Sequence, residues 1–208
     1  MSGLQTNQSD KQSFVGGFGN PVFEAQTAFR AIMQAMAEPG LIVPLKTNLK
    51  PPAPLNPVAA AILCTLCDAD TMLYQDAPKT DDQRVAAWVA FQTDAVLSTT
   101  PSLSNFALIA SAQNLPTLDQ FAQGTDEYPE RSTTVIVQMD SLIDGPSLML
   151  TGPGIRDKRI FQPADLPHHF PSSWMRNYAQ FPRGVDIVFA TANELACLPR
   201  STKITRVL

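Results

Sequence analysis

Residues 150–156 read LTGPGIR, and the reading of this stretch decides the architecture. A glycine-rich loop beside an arginine can cradle a phosphate when a strand enters it and the N-terminus of a helix leaves it. Upstream, Ser147-Leu148-Met149-Leu150-Thr151 has the character of a strand. Downstream, Ile155-Arg156-Asp157-Lys158-Arg159-Ile160-Phe161 shows no 3.6-residue apolar period, no capping residue and no run of helix formers. It reads as a second, more exposed strand or an extended segment. Glycine supplies positive φ and proline pre-sets φ, so Gly152-Pro153-Gly154 predicts a tight turn, and 147–161 a hairpin.

Outward from the hairpin, helices and strands alternate. Asn20 stands as a cap before Pro21, and Val22, Ala25, Phe29, Ile32, Met33 and Met36 form one apolar stripe, ended by Pro39-Gly40. Residues 41–45 predict a short strand. A second helix starts at Asn56-Pro57 and runs to Asp68. A third opens with the capping box Thr80-Asp81-Asp82-Gln83 and turns Val85, Trp88 and Val89 inward. Residues 106–110 and 133–139 read as buried strands. Phe170, Trp174, Tyr178 and Phe181 recur at helical spacing, and 185–190 and 195–198 are the last strands. The order predicts a single layered α/β domain over 18–208 behind a disordered tail at 1–17, and the hairpin at 147–161 predicts that its sheet, flanked by helices, is mixed rather than purely parallel.

Of the 208 residues only 16% are charged, against roughly 25% in an average chain. So sparse a charge is expected either of a surface covered by another subunit or of a sparsely charged monomer. Residues 151–208 hold 8 Lys/Arg against 4 Asp/Glu, net +4 on a chain of net −4. That density is too low for a nucleic-acid groove. No stretch is long and apolar enough for a membrane span, and the N-terminus has no signal-peptide pattern. Three cysteines without framework spacing fit a reducing cytosol.

Self-contained chemistry is absent from the motifs. GxSxG, GxxxxGK[ST], HExxH and a strand-linked GxGxxG are all missing. Cys64-Thr65-Leu66-Cys67 is a lone CxxC near the end of a helix, where the dipole does not lower a thiol pKa, so it reads as core. His168-His169 has no nucleophile or orienting carboxylate nearby in sequence. Neither metal nor cofactor is expected. Arg131, Arg183 and Arg200 each follow, or nearly follow, a proline at a strand edge. Guanidinium groups held so stiffly suit an anion or a partner surface, and equally a structural ion pair.

Six segments, in order, carry a resemblance: FRAIMQAMAEPG (29–40), AAWVAFQTDA (86–95), GTDEYPERSTTVIVQM (124–139), LTGPGI (150–155), FPRGVDIVFA (181–190) and LPRSTKI (198–204). Together they resemble the H-type component family of the bacterial carbon–phosphorus lyase system. The resemblance implies the fold of the large domain of pyridoxal-phosphate-dependent transferases, without that cofactor. It also implies a homodimer in isolation and a place among the other subunits of a cytoplasmic carbon–phosphorus lyase complex. That complex moves the ribose triphosphate of ATP onto an alkylphosphonate and releases adenine. The resemblance assigns no catalytic residue to this component, which implies a structural or assembly role. The alternatives are a stand-alone phosphate- or nucleotide-binding enzyme with an arginine-lined site, and a diverged pyridoxal-phosphate enzyme.

Overall fold

The computed structural model describes residues 15–76 and 83–206. Its helices are α1 (Pro21–Ala37), α2 (Pro57–Leu66), α3 (Arg84–Thr93) and α4 (Phe170–Ala179). Its strands are β1 (Val43–Pro44), β2 (Met72–Gln75), β3 (Val96–Ser98), β4 (Phe106–Ile109), β5 (Thr134–Gln138), β6 (Leu148–Thr151), β7 (Arg159–Phe161), β8 (Asp186–Ala190), β9 (Glu194–Leu198) and β10 (Lys203–Arg206). Seven of them form one sheet in the order β1-β9-β8-β5-β4-β2-β3. β2, β3, β4, β5 and β8 run parallel, while β9 is antiparallel to both β8 and β1. The chain is therefore α/β with a mixed sheet.

The LTGPGIR stretch is a turn. β6 and β7 pair antiparallel, with Leu150 opposite Arg159, and no helix follows the glycines. Gly154 has φ +80, and a Cβ there would fall far inside contact distance of the carbonyl oxygen of Ala37, so the turn lies hard against the end of α1. One expectation is corrected. The hairpin does not make the main sheet mixed; it joins β10 in a separate three-stranded sheet, and the antiparallel member of the main sheet is β9.

Two cores sandwich the main sheet. On one face α1, α2 and α3 pack on Leu73, Leu108, Ile136, Val188 and Cys197. On the other, α4 and the small sheet cover Val135, Val137, Ile187 and Phe189. Each core holds one fully buried tryptophan whose indole N–H is satisfied, as burial of that group demands. Trp88 donates to the carbonyl of Val15 (3.0 Å) and Trp174 to that of Thr202 (2.8 Å). The carbonyl of Gly16 also accepts from Lys50 N. Residues 15–17 thus belong to the packed domain rather than to a tail, and residues 1–14 lie outside the described residues.

The helices follow the sequence in extent more than in facing. Asn56 caps α2 as expected, its Oδ1 accepting from Ala59 N at 2.7 Å. Asn20 precedes α1 but makes no capping bond with its side chain. Val85, Trp88 and Val89 of α3 are buried as expected; residues 80–82 of its expected capping box lie outside the described residues. On α1 the buried residues are Ala28, Ala31, Ile32 and Ala35, while Val22, Phe29 and Met33 are 76%, 48% and 50% exposed. The reason is space. α1 packs against α2, whose Ala59, Ala60 and Ala61 are themselves fully buried, and two alanine surfaces approach more closely than large side chains allow. On α4, Asn177 takes the inward position expected of Tyr178. Its amide donates to Val185 O (2.9 Å) and its carbonyl oxygen accepts from Val185 N (2.8 Å), leaving Tyr178 and Phe181 exposed.

Candidate functional site

In open parallel α/β sheets ligands bind in the crevice beyond the carboxyl ends of the strands. Here a cavity of about 340 Å³ opens at the carboxyl ends of β4, β5 and β8. Ala110, Ser111 and Ala112 follow β4, Gln138 ends β5 and leads into Met139 and Asp140, and Ala192 follows β8. Asp165 and the Pro54–Asn56 turn ahead of α2 complete the lining. The floor is tied together. Asn56 N donates to Gln138 Oε1 (2.6 Å), and Asn56 Nδ2 to the carbonyl of Ala190 (3.0 Å). Buried Gln138 thereby fixes the start of α2 over the sheet.

The neighbouring strand end adds a carboxyl group of altered acidity. Asp76, just past β2, accepts a bond from Ala110 N at 2.7 Å through Oδ1. Burial raises its pKa above the ordinary carboxylate value, against the lowering effect of that backbone bond. Burial, with the Asp76 charge as a second cause, also raises the pKa of Tyr74.

The three arginines come together, but at the opposite end of the sheet. Arg131 precedes β5, Arg183 precedes β8 and Arg200 follows antiparallel β9, so all three lie at the amino ends of the parallel strands. Arg200 is fully engaged. Nε and Nη2 bond both oxygens of Asp186, Nη1 donates to the carbonyls of Pro129 and Pro182, and Nη2 also reaches Ser132 Oγ. Its five N–H donors are thereby spent inside the domain. Arg183 pairs loosely with Asp126 (3.3 Å) and is 43% exposed. Arg131 lies over the exposed Tyr128 ring, 4.2 Å from its centroid.

The remaining sequence candidates stay apart. Cys64, Cys67 and Cys197 are free thiols. Burial pushes Cys64 and Cys67 up to about 12 and Cys197 higher still, so none is a thiolate at neutral pH. His168 borders a proline-lined cleft with no nucleophile in it. Among the described residues, no group of three or more His, Cys, Asp or Glu is placed to hold a metal ion. Sequence reading missed Asn56 as a site residue, along with Ser111, Gln138, Asp140 and Asp165. The available signal was the pair of polar residues Gln138 and Asp140 closing the apolar run Val135–Val137.

Comparison with known proteins covers almost the full chain. A family model described as bacterial phosphonate metabolism protein (PhnH) matches residues 16–205. The alpha-D-ribose 1-methylphosphonate 5-triphosphate synthase subunit PhnH of Rhizobium meliloti (strain 1021) is 41% identical over 198 residues, 95% of this chain and 98% of that protein. The putative C-P lyase subunit protein HtxG of Stutzerimonas stutzeri is 32% identical over 184 residues, 86% of this chain and 85% of that protein.

Proposed function

We infer the role of this chain from the premise that it belongs to the PhnH family of bacterial phosphonate metabolism proteins. It serves as one subunit of a carbon–phosphorus lyase assembly whose substrates are ATP and an alkylphosphonate. With its companions it transfers the ribose triphosphate of ATP onto the phosphonate and releases adenine. Its own contribution is structural. The observation that carries this reading is the end-to-end match, 41% identity over 95% of the chain, to a protein named as a synthase subunit.

The geometry supports a non-catalytic part. The cavity lining contains no lysine to form a Schiff base and no cation to anchor a phosphate, so pyridoxal phosphate does not fit it. The seven-stranded mixed sheet with helices packed on it supports, at the level of architecture, a likeness to the large domain of the transferases that use it. Apolar side chains at Val22, Phe29 and Met33 leave one flank of α1 uncovered, which suits self-association as a homodimer or contact with companion subunits. Arg131 and Arg183 keep exposed guanidinium surface for a partner. Arg200 does not, which weighs against an independent arginine-lined enzyme. No helix among the described residues is long and apolar enough to cross a membrane. A cytoplasmic location for the assembly is part of this proposal and is supported by membership of a bacterial phosphonate metabolism family.

Reconstitution tests the reading. Companion subunits mixed with ATP and methylphosphonate should form the ribosylated product only when this chain is added. Full turnover without it, or turnover by this chain alone, would reject the role.

A further inference from the structure

We propose that the cavity at the carboxyl ends of β4, β5 and β8 is a binding site for a small molecule that presents hydroxyl or ammonium donors and carries no phosphate. This goes beyond the assembly role and does not depend on it. A volume of about 340 Å³ lies within the range of small-molecule sites. The position, beyond the carboxyl ends of parallel strands, is where such sites form.

The lining selects the ligand. Asp140 and Asp165 are exposed at the cavity, and among the described residues neither carboxylate is bonded to a cation. Ser111 adds a hydroxyl. The Asn56–Gln138–Ala190 bonds hold the floor rigid, so the site is organised before a ligand arrives. Two carboxylates with no opposing cation accept hydrogen bonds and repel a phosphate. Met139, Pro54 and Ala112 supply apolar surface for the carbon skeleton. The paired and stacked arginines stand at the other end of the sheet, so they do not neutralise this one.

Nuclear magnetic resonance on the full-length labelled chain decides the matter, with adenosine, ethanolamine and inorganic phosphate as separate probes. Adenosine or ethanolamine should shift the amides of Ser111, Gln138 and Asp140 in a saturable way. Adenosine alone identifies uncharged donors, which ribose as a further probe narrows to the hydroxyls, and ethanolamine alone identifies an ammonium group. Asp140→Asn and Asp165→Asn should each weaken that binding about tenfold, the worth of a charge-assisted hydrogen bond. Both side chains are exposed, and asparagine accepts the φ of +56 at residue 165, so an unchanged melting temperature checks the fold. The proposal fails if neither probe shifts these amides at millimolar concentration. It fails too if phosphate shifts them in the same way, or if both variants bind like the wild type.

Discussion

Arg200 grips Asp186 with two nitrogens, Nε 3.1 Å from Oδ1 and Nη2 2.5 Å from Oδ2, and both side chains are only 14% exposed. The pair joins the end of β9 to the start of β8, and the remaining donors reach Pro129, Pro182 and Ser132. Removing one partner from a largely buried pair leaves the other charge uncompensated. Arg200→Ala should therefore lower stability by about 3–5 kcal/mol in chemical denaturation. Arg200→Lys should recover little of it, because an ammonium cannot reproduce the two-pronged contact.

Arg183→Ala provides the contrast. Its pairing with Asp126 is solvent-exposed, at 43% and 79% for the two side chains, and exposed pairs contribute about 0–1 kcal/mol. Stability should stay within about 0.5 kcal/mol of wild type. If Arg183 meets a companion subunit, affinity for that companion should fall about tenfold. Titration calorimetry alongside melting curves separates the two effects, and unchanged affinity removes Arg183 from the interface.

The uncovered flank of α1 predicts an association defect without a folding defect. Phe29→Glu with Met33→Glu places charge on an apolar surface that the domain itself does not bury. Light scattering should show the double variant shifted toward monomer, with its melting temperature near that of a monomeric reference. A stable dimer in the double variant would place self-association elsewhere.

Gly154→Ala tests the turn. The φ of +80 is unfavourable for alanine, and the added methyl would collide with the Ala37 carbonyl. Destabilisation of about 2 kcal/mol or more is expected in urea denaturation. A neutral result would mean that the hairpin can move away from α1.

Alkaline pH should destabilise the fold through the thiols. Burial raises Cys64 and Cys67 in the folded chain from 9.0 to about 12. A raised folded value means the stabilisation is fully present below the unfolded pKa, near pH 9. It is then lost as the pH rises toward 12, because only the unfolded chain ionises in that window. The urea midpoint of a Cys64→Ala, Cys67→Ala variant should fall less steeply between pH 9 and 11 than that of the wild type. Equal slopes would exclude the thiols as the cause.

By itself the sequence determined the ordering of elements and the character of LTGPGIR. Both are local: a proline between two glycines specifies a turn, and a run such as Thr134-Val135-Ile136-Val137 specifies a buried strand whatever surrounds it. Weaker local signals escaped, as in the short strands β2, β3 and β10, which are held by their neighbours in the sheets. Tertiary structure decided which side of α1 faces inward, because that depends on how closely an alanine-faced α2 lets another helix approach. It also decided which strand ends face the cavity. Asn56, Ser111, Gln138 and Asp165 are scattered over more than a hundred positions; parallel strands bring Ser111 and Gln138 to one edge, and the segments ahead of α2 and α4 carry Asn56 and Asp165 to it. The same parallel arrangement carries Arg131, Arg183 and Arg200 to the opposite edge, where Asp186 and backbone carbonyls claim Arg200. Spacing along a chain cannot anticipate that assignment, since it follows from strand direction and not from the residues themselves.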